Sequence, residues 1–243
     1  MSFQDQIRAT FRRGETAEVR RLAEAGVRRA RAAGEPEDEV EGLYALARLA
    51  LRQGELGEAE RLAGQALEVA VRAADRRLEE RPRHVLAAVA RMKGDHALAR
   101  ERYLASIELN RDLGRPEQVS SETYNLALTE LHLGNLGRAR DLLRTVQERV
   151  FRVGDHTFVP YLGVAAATLA AAEGDAETAA SMIGFTDSAF DGLGQVPDPD
   201  DAEELAAART FATVALHPER FAALYAVGTG WDAPTAFGLS WGT

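Results

Sequence analysis

Five histidines, one lysine and no cysteine define the side chains of this 243-residue chain that could do chemistry. His84, His96, His132, His156 and His217 include no pair three or four residues apart, so no helix face presents two imidazoles to one metal ion. Without cysteine there is no thiolate ligand, disulfide, iron–sulfur cluster or thiol nucleophile. Lys93 is followed by Gly94, where a phosphate-binding loop needs Ser or Thr, and Schiff-base chemistry rests on this same lysine. Gly238-Leu239-Ser240-Trp241-Gly242 spells a nucleophile elbow, but the acid and histidine of that chemistry come after the serine, and only Thr243 follows Gly242. It reads as a tail that packs Trp241. The acidic cluster Asp198, Asp200, Asp201, Glu203 and Glu204 lacks the turn glycine and distal glutamate of a calcium loop. Behind Pro197 and Pro199 it reads as a helix start, with Asp200 or Asp201 capping. The expectation is a non-enzyme with no catalytic residue, no metal and no cofactor.

The charge balance narrows the partners. Thirty-eight acids against 29 bases leave a net charge of −9, which argues against a nucleic-acid-binding module. All but one of the bases are arginine. Hydrophobic residues make 46% and charged residues 28%, a globular mix. Alanine fills 45 positions while aromatics are 7%, which favours helices packed closely through small side chains. The opening Met1-Ser2-Phe3-Gln4-Asp5-Gln6 does not read as a signal peptide, so none is expected, and no apolar run reaches membrane-spanning length. A soluble, cytoplasmic protein is expected.

A repeat positions these residues. Gly14, Gly54, Gly94, Gly134 and Gly174 stand forty apart without a slip. Five residues after them come Val19, Ala59, Ala99, Ala139 and Ala179, and seven before the last four come Ala47, Ala87, Ala127 and Ala167. Gly34, Ala74, Gly114, Gly154 and Gly194 fall halfway between. Each anchor glycine can end one helix in the left-handed conformation, and the polar residue after it (Glu15, Glu55, Asp95, Asn135, Asp175) can open the next. The flanking alanines suit close helix crossings. The pattern predicts helices near 36–53, 55–73, 82–93, 95–113, 116–133, 135–153, 157–173 and 175–193, after a shorter pair at 3–13 and 15–33. Pro36 and Pro116 suit first turns. Pro82 is out of place and predicts a late start or a kink, with Asp75 to Arg83 as a long connection or extra turn.

Tyr124-Asn125-Leu126-Ala127, then Leu131, Gly134-Asn135-Leu136, Ala139 and Leu143, resembles a tetratricopeptide repeat (TPR). Tyr44-Ala45-Leu46-Ala47 with Gly54, Leu56 and Ala59 fits the same frame, and His84-Val85-Leu86-Ala87 with Gly94 and Ala99 fits it less closely. The resemblance covers residues 1–194, with helices longer than the family's usual ones. It implies an all-α, right-handed superhelical solenoid of about five helical hairpins at a 40-residue period, followed by C-terminal capping helices over 195–243. Leu205, Ala208, Phe211, Val214, Phe221, Leu224 and Tyr225 are expected to cover the last hairpin. Ala179-Ala180, Ile183-Gly184, Leu193-Gly194, Pro197, Pro199, Ala208-Arg209, Phe221-Ala222 and Gly228 are similar in order to the end of the TPR arm of bacterial LuxR-type and AfsR-like signal-transducing ATPase regulators. The ATPase and DNA-binding parts have no counterpart here, so the resemblance is to the arm alone.

In such arrays the first helices line a concave groove. The frame puts Tyr44, Arg48, Arg52, His84, Arg91, Tyr124, Asn125, Leu128, His132 and Tyr161 on first helices. Arginine forks match carboxylates, and Asn125 matches the asparagine with which many peptide-binding TPRs hold a peptide backbone. The usual companion lysines are absent, so a clamp depends on arginine. The expected function is a non-catalytic module that binds a peptide or protein partner in its groove, in bacterial signalling or regulation. The alternative is a ligand- or peptide-sensing allosteric regulator of a separate effector protein. Trp231, Phe237 and Trp241 are open to two readings, packing on their own chain or on a second copy in a homodimer, and the sequence does not separate them.

Overall fold

The computed structural model describes residues 3–238; Ser240 and Trp241 of the elbow-like string lie outside the described residues. No strand occurs among the described residues, and helices adjacent in sequence pack in pairs. They are α1 (Phe3–Arg12), α2 (Thr16–Ala33), α3 (Pro36–Arg52), α4 (Leu56–Arg72), α5 (Glu80–Met92), α6 (His96–Asp112), α7 (Pro116–His132), α8 (Leu136–Val153), α9 (Val159–Ala172), α10 (Ala176–Leu193), α11 (Pro199–Ala215), α12 (Pro218–Thr229) and α13 (Ala233–Ala236). None of the described helices is long and apolar enough to cross a membrane.

The period reappears as backbone geometry. Gly14, Gly54, Gly94, Gly134 and Gly174 all have φ between 72° and 81°. The residue after each glycine donates its N–H back to the helix just ended, as Glu55 does to the Ala50 carbonyl at 2.9 Å and Asp95 to Ala90 at 3.0 Å. This satisfies carbonyls that a helix end otherwise leaves open. The side chain after the glycine caps the next helix at two of the five turns, and Asn135 instead donates its amide to Glu130 Oε2 at 2.7 Å. Asp95 accepts from the Leu98 N–H and Asp175 from the Thr178 N–H, whereas Glu15 and Glu55, one methylene longer, make no such bond. At the halfway column Gly34, Gly114, Gly154 and Gly194 also take positive φ, and Ala74 does so without being glycine, at 53°.

Pro82 does what its ring requires. α5 begins at Glu80, so Pro82 sits in the first turn, where its missing N–H costs no helical bond. A 3-10 turn at Arg76–Leu78, capped by Asp75, fills the connection.

The chain forms two compact units. The first contains the residues up to Thr129 together with Asp198–Asp200; the second contains Glu130–Pro197 and the residues from Asp201 on. In the first unit α1 packs on α2, α3 on α4 and α5 on α6, and the leading helices α1, α3 and α5 also pack on one another in turn. Ala47, Ala59, Ala87, Ala99 and Ala127 are each 0% exposed, so the alanine columns are helix crossings. Val27, Val40, Leu43, Leu62, Val69, Val85 and Val89 form one core with Ala47 and Ala59.

In the second unit α8 packs on α9, α9 on α10, and α10 on α12. The last contact is backbone against backbone. A Cβ on Gly184 would lie 2.1 Å from the Tyr225 carbonyl oxygen, and one on Gly228 would lie 1.8 Å from that of Ser181. Phe237 packs on Phe151 and Phe185, with ring centres 5.6 Å apart in both pairs. Val214 departs from the expected apolar set: it is 83% exposed. Leu205, Ala208 and Ala212 make the buried stripe of α11 instead, spaced three and four apart as one helix face requires.

Candidate functional site

α3 aligns Tyr44, Arg48 and Arg52 on one face, because residues four apart are neighbours on a helix. α1 brings Phe11 under that face, 3% exposed. The Arg48 guanidinium lies 3.9 Å from the Phe11 ring centre and that of Arg52 4.4 Å from the same ring. Tyr44 is flanked in turn by Arg48 at 5.5 Å and by Arg81 of α5 at 5.4 Å. Aromatic faces attract guanidinium groups by about 0.5–2 kcal/mol and fix their planes. They do not cancel the repulsion between two cations one helical turn apart. Anions must do that.

The anions come from far along the chain. Arg48 Nη2 donates to Asp198 Oδ1, and Arg91 Nη2 donates to Asp200 Oδ2. These partners are separated by 150 and 109 residues. Arg91 and Asp200 are both nearly out of reach of solvent, at 2% and 8% side-chain exposure, while Arg48 and Asp198 keep 14% and 29%. Burial resists the Asp200 charge, but Arg91 and then His84 outweigh it and hold the carboxyl below its usual range. α11 starts at Pro199, so Asp200 falls in its first turn, where negative charge suits the helix dipole.

A second acid–base group adjoins. His84 Nδ1 lies 3.1 Å from Glu122 Oε1 on α7, and the second Glu122 oxygen is buried with no hydrogen-bond partner. Burial works against the His84 imidazolium, but the Glu122 charge and hydrogen bond, helped by Asp200 and Glu80, prevail and raise it to about 9. Burial, reinforced by the Glu122 charge, pushes Glu80 up to about 7. Burial likewise pushes the Tyr44 hydroxyl to about 12. Arg81, drawn down to about 10 by burial and then by Arg8 and Arg115, pairs with Glu41.

The structure thus brings Tyr44, Arg48, Arg52, His84 and Arg91 to the leading helices of the first unit. Tyr124, Asn125 and Leu128 belong to the same unit but are 2%, 4% and 0% exposed, inside the helix packing. His132 and Tyr161 belong to the second unit. His132 Nε2 lies 2.7 Å from Glu204 Oε1, and Tyr161 meets Phe190 edge-on at 5.3 Å. Phe11, Arg81, Glu122, Asp198 and Asp200 complete the face, and the repeat frame does not point to them. Asp198 and Asp200 had a visible signal, two carboxylates behind prolines, whose local meaning as a helix start concealed the distant one.

Among the described residues, no group of three or more histidines and carboxylates stands ready to hold a metal ion. The face offers fixed guanidinium planes and a histidine held cationic at neutral pH, which is chemistry for receiving carboxylates. Away from it, α2, α3 and α4 enclose a shallow depression of about 310 Å³ lined by Arg28, Arg31, Arg61 and Leu62 among others. Arg31 and Arg61 are held there by Glu39 and Glu58. No protein-family model matches the chain, and no curated protein matches it significantly.

Proposed function

We propose that this chain is a TPR-like helical-repeat module, a right-handed solenoid of about five hairpins, that binds a peptide or protein partner along the leading helices of its first unit. The forty-residue columns, the all-helical build and the mutual packing of α1, α3 and α5 support the repeat reading. The observation that carries the binding reading is the pair Arg48–Asp198 and Arg91–Asp200: two arginines on successive leading helices already grip two carboxylates of a short segment. A partner presenting acidic groups meets the same donors. The role is non-catalytic and cytoplasmic, in bacterial signalling or regulation, as the similarity to the arms of LuxR-type and AfsR-like regulators implies. That the grip is taken up by the chain itself favours one second reading, a sensor whose ligand alters its action on a separate effector.

The test is a pull-down with mass spectrometry, followed by calorimetric titration of the recovered partner fragment. Arg48→Ala should weaken binding about five- to hundred-fold, the loss of one charged hydrogen-bonding group worth about 1–3 kcal/mol. Asn125→Ala should lower stability and leave affinity nearly unchanged, since Asn125 is buried. Unchanged affinity in Arg48→Ala would move the site off this face.

A further inference from the structure

On a chain whose net charge is −9, Arg48 and Arg91 stand on two leading helices and receive the carboxylates of Asp198 and Asp200. Three features make these two residues an occupant rather than ordinary surface charge. Their receptors sit on two different helices, α3 and α5, so both carboxylates are needed to span the face. The segment is stiffened by Pro197 and Pro199, which lowers the entropy lost on seating it. The grip is graded, for Arg91–Asp200 is nearly closed to solvent while Arg48–Asp198 is partly open, so the segment can peel from the Asp198 end.

We propose that the Arg48–Arg91 face is specific for an acidic segment with carboxylates two residues apart, Asp-x-Asp, and that Asp198-Pro199-Asp200 is a built-in occupant that a partner's segment of this pattern replaces. This rests on the binding reading above and adds the ligand pattern and the competition. The internal segment competes intramolecularly, so its seating does not depend on protein concentration. An external segment of equal chemistry must outcompete it, so its apparent affinity falls by the fraction of faces that are open. Loosening the internal segment should remove that handicap.

The probe is a synthetic peptide of residues 196–205, Val-Pro-Asp-Pro-Asp-Asp-Ala-Glu-Glu-Leu, added to the full chain and followed by calorimetry, with a control peptide carrying Asn for the first two Asp. The Asp198→Asn chain, which loses only the more open pair, should bind the peptide about tenfold or more tightly than wild type, and the control peptide should not bind. Asp200→Asn takes this carboxylate from the buried Arg91, so circular dichroism should first establish that it folds; the peptide should then raise its melting temperature more than that of wild type. If Asp200→Asn does not fold, Asp198→Asn alone decides. Equal affinity in wild type and Asp198→Asn, with binding lost in Arg48→Gln, would overturn the competition while leaving the binding reading intact. Binding indifferent to Arg48→Gln and Arg91→Gln would overturn both. No binding to Asp198→Asn would overturn the ligand pattern. Light scattering showing that Asp198→Asn or wild type forms dimers that the peptide dissociates would identify a second copy of this chain as the occupant, and would overturn the assignment to a partner protein.

Discussion

His84 is the residue whose protonation the face depends on most directly. Its pKa rises from the ordinary 6.5 to about 9 in the folded chain, because Glu122, Asp200 and Glu80 together outweigh the burial that opposes its charge. A raised value means that the folded state holds the proton more tightly than the unfolded one. The resulting stability is complete below about 6.5 and is lost as pH rises through about 9. Glu80, raised to about 7, has the same sign and gives up its share earlier, as pH climbs from about 4.5 to about 7. The His84 share is about 2 kcal/mol once discounted for the 22% of its side chain that meets solvent. Wild type should therefore lose about that much stability between pH 6.5 and 9.5, and His84→Gln should flatten this part of the profile. Denaturant melts at several pH values check it; parallel profiles would mean that His84 is not held cationic. The sequence marks His84 as a groove residue, but Glu122, 38 positions away and 1% exposed, carries no sign of being its partner. Spacing along one helix reveals faces; it does not reveal which carboxylate a neighbouring helix delivers.

Elements are far more legible than pairings. The glycines fix the hairpin turns because a left-handed residue is needed there, and the alanine columns mark crossings because nothing larger fits. Pro82 announces the late start of α5 for the same kind of local steric reason. The contact of α12 with α10 is not legible in this way. Gly184 and Gly228 are ordinary helix-interior glycines in the sequence, yet they let two backbones touch. Gly228→Ala would drive a methyl into the Ser181 carbonyl, on rigid backbone that cannot yield as a side-chain tip can. It should cost about 1–3 kcal/mol, against a gain of up to about 1 kcal/mol from helix propensity alone. A thermal melt decides the sign. A Gly228→Ala chain that melts higher than wild type would show that α12 does not lie against α10 at this point. Val214 departs from expectation because it stands nine residues, two and a half helical turns, from Leu205 and so opposite the face that packs, which runs through Leu205, Ala208 and Ala212.

At the scale of the whole molecule, a chain of net charge −9 sets Arg48 and Arg91 on two leading helices and pairs them with its own Asp198 and Asp200. Screening over about 8 Å at physiological salt lets these local pairs coexist with the overall charge. Partner binding and internal competition both turn on carboxylate recognition by Arg48, and a double-mutant cycle tests it most directly. In the Asp198→Asn chain, affinity for the 196–205 peptide would be measured with and without Arg48→Gln, and for the peptide with and without Asn in place of its first Asp. A direct Arg48–carboxylate contact predicts a coupling of about 1–2 kcal/mol, so that each change matters much less once the other is made. Coupling within about 0.3 kcal/mol of zero would contradict it, placing the peptide somewhere other than on Arg48.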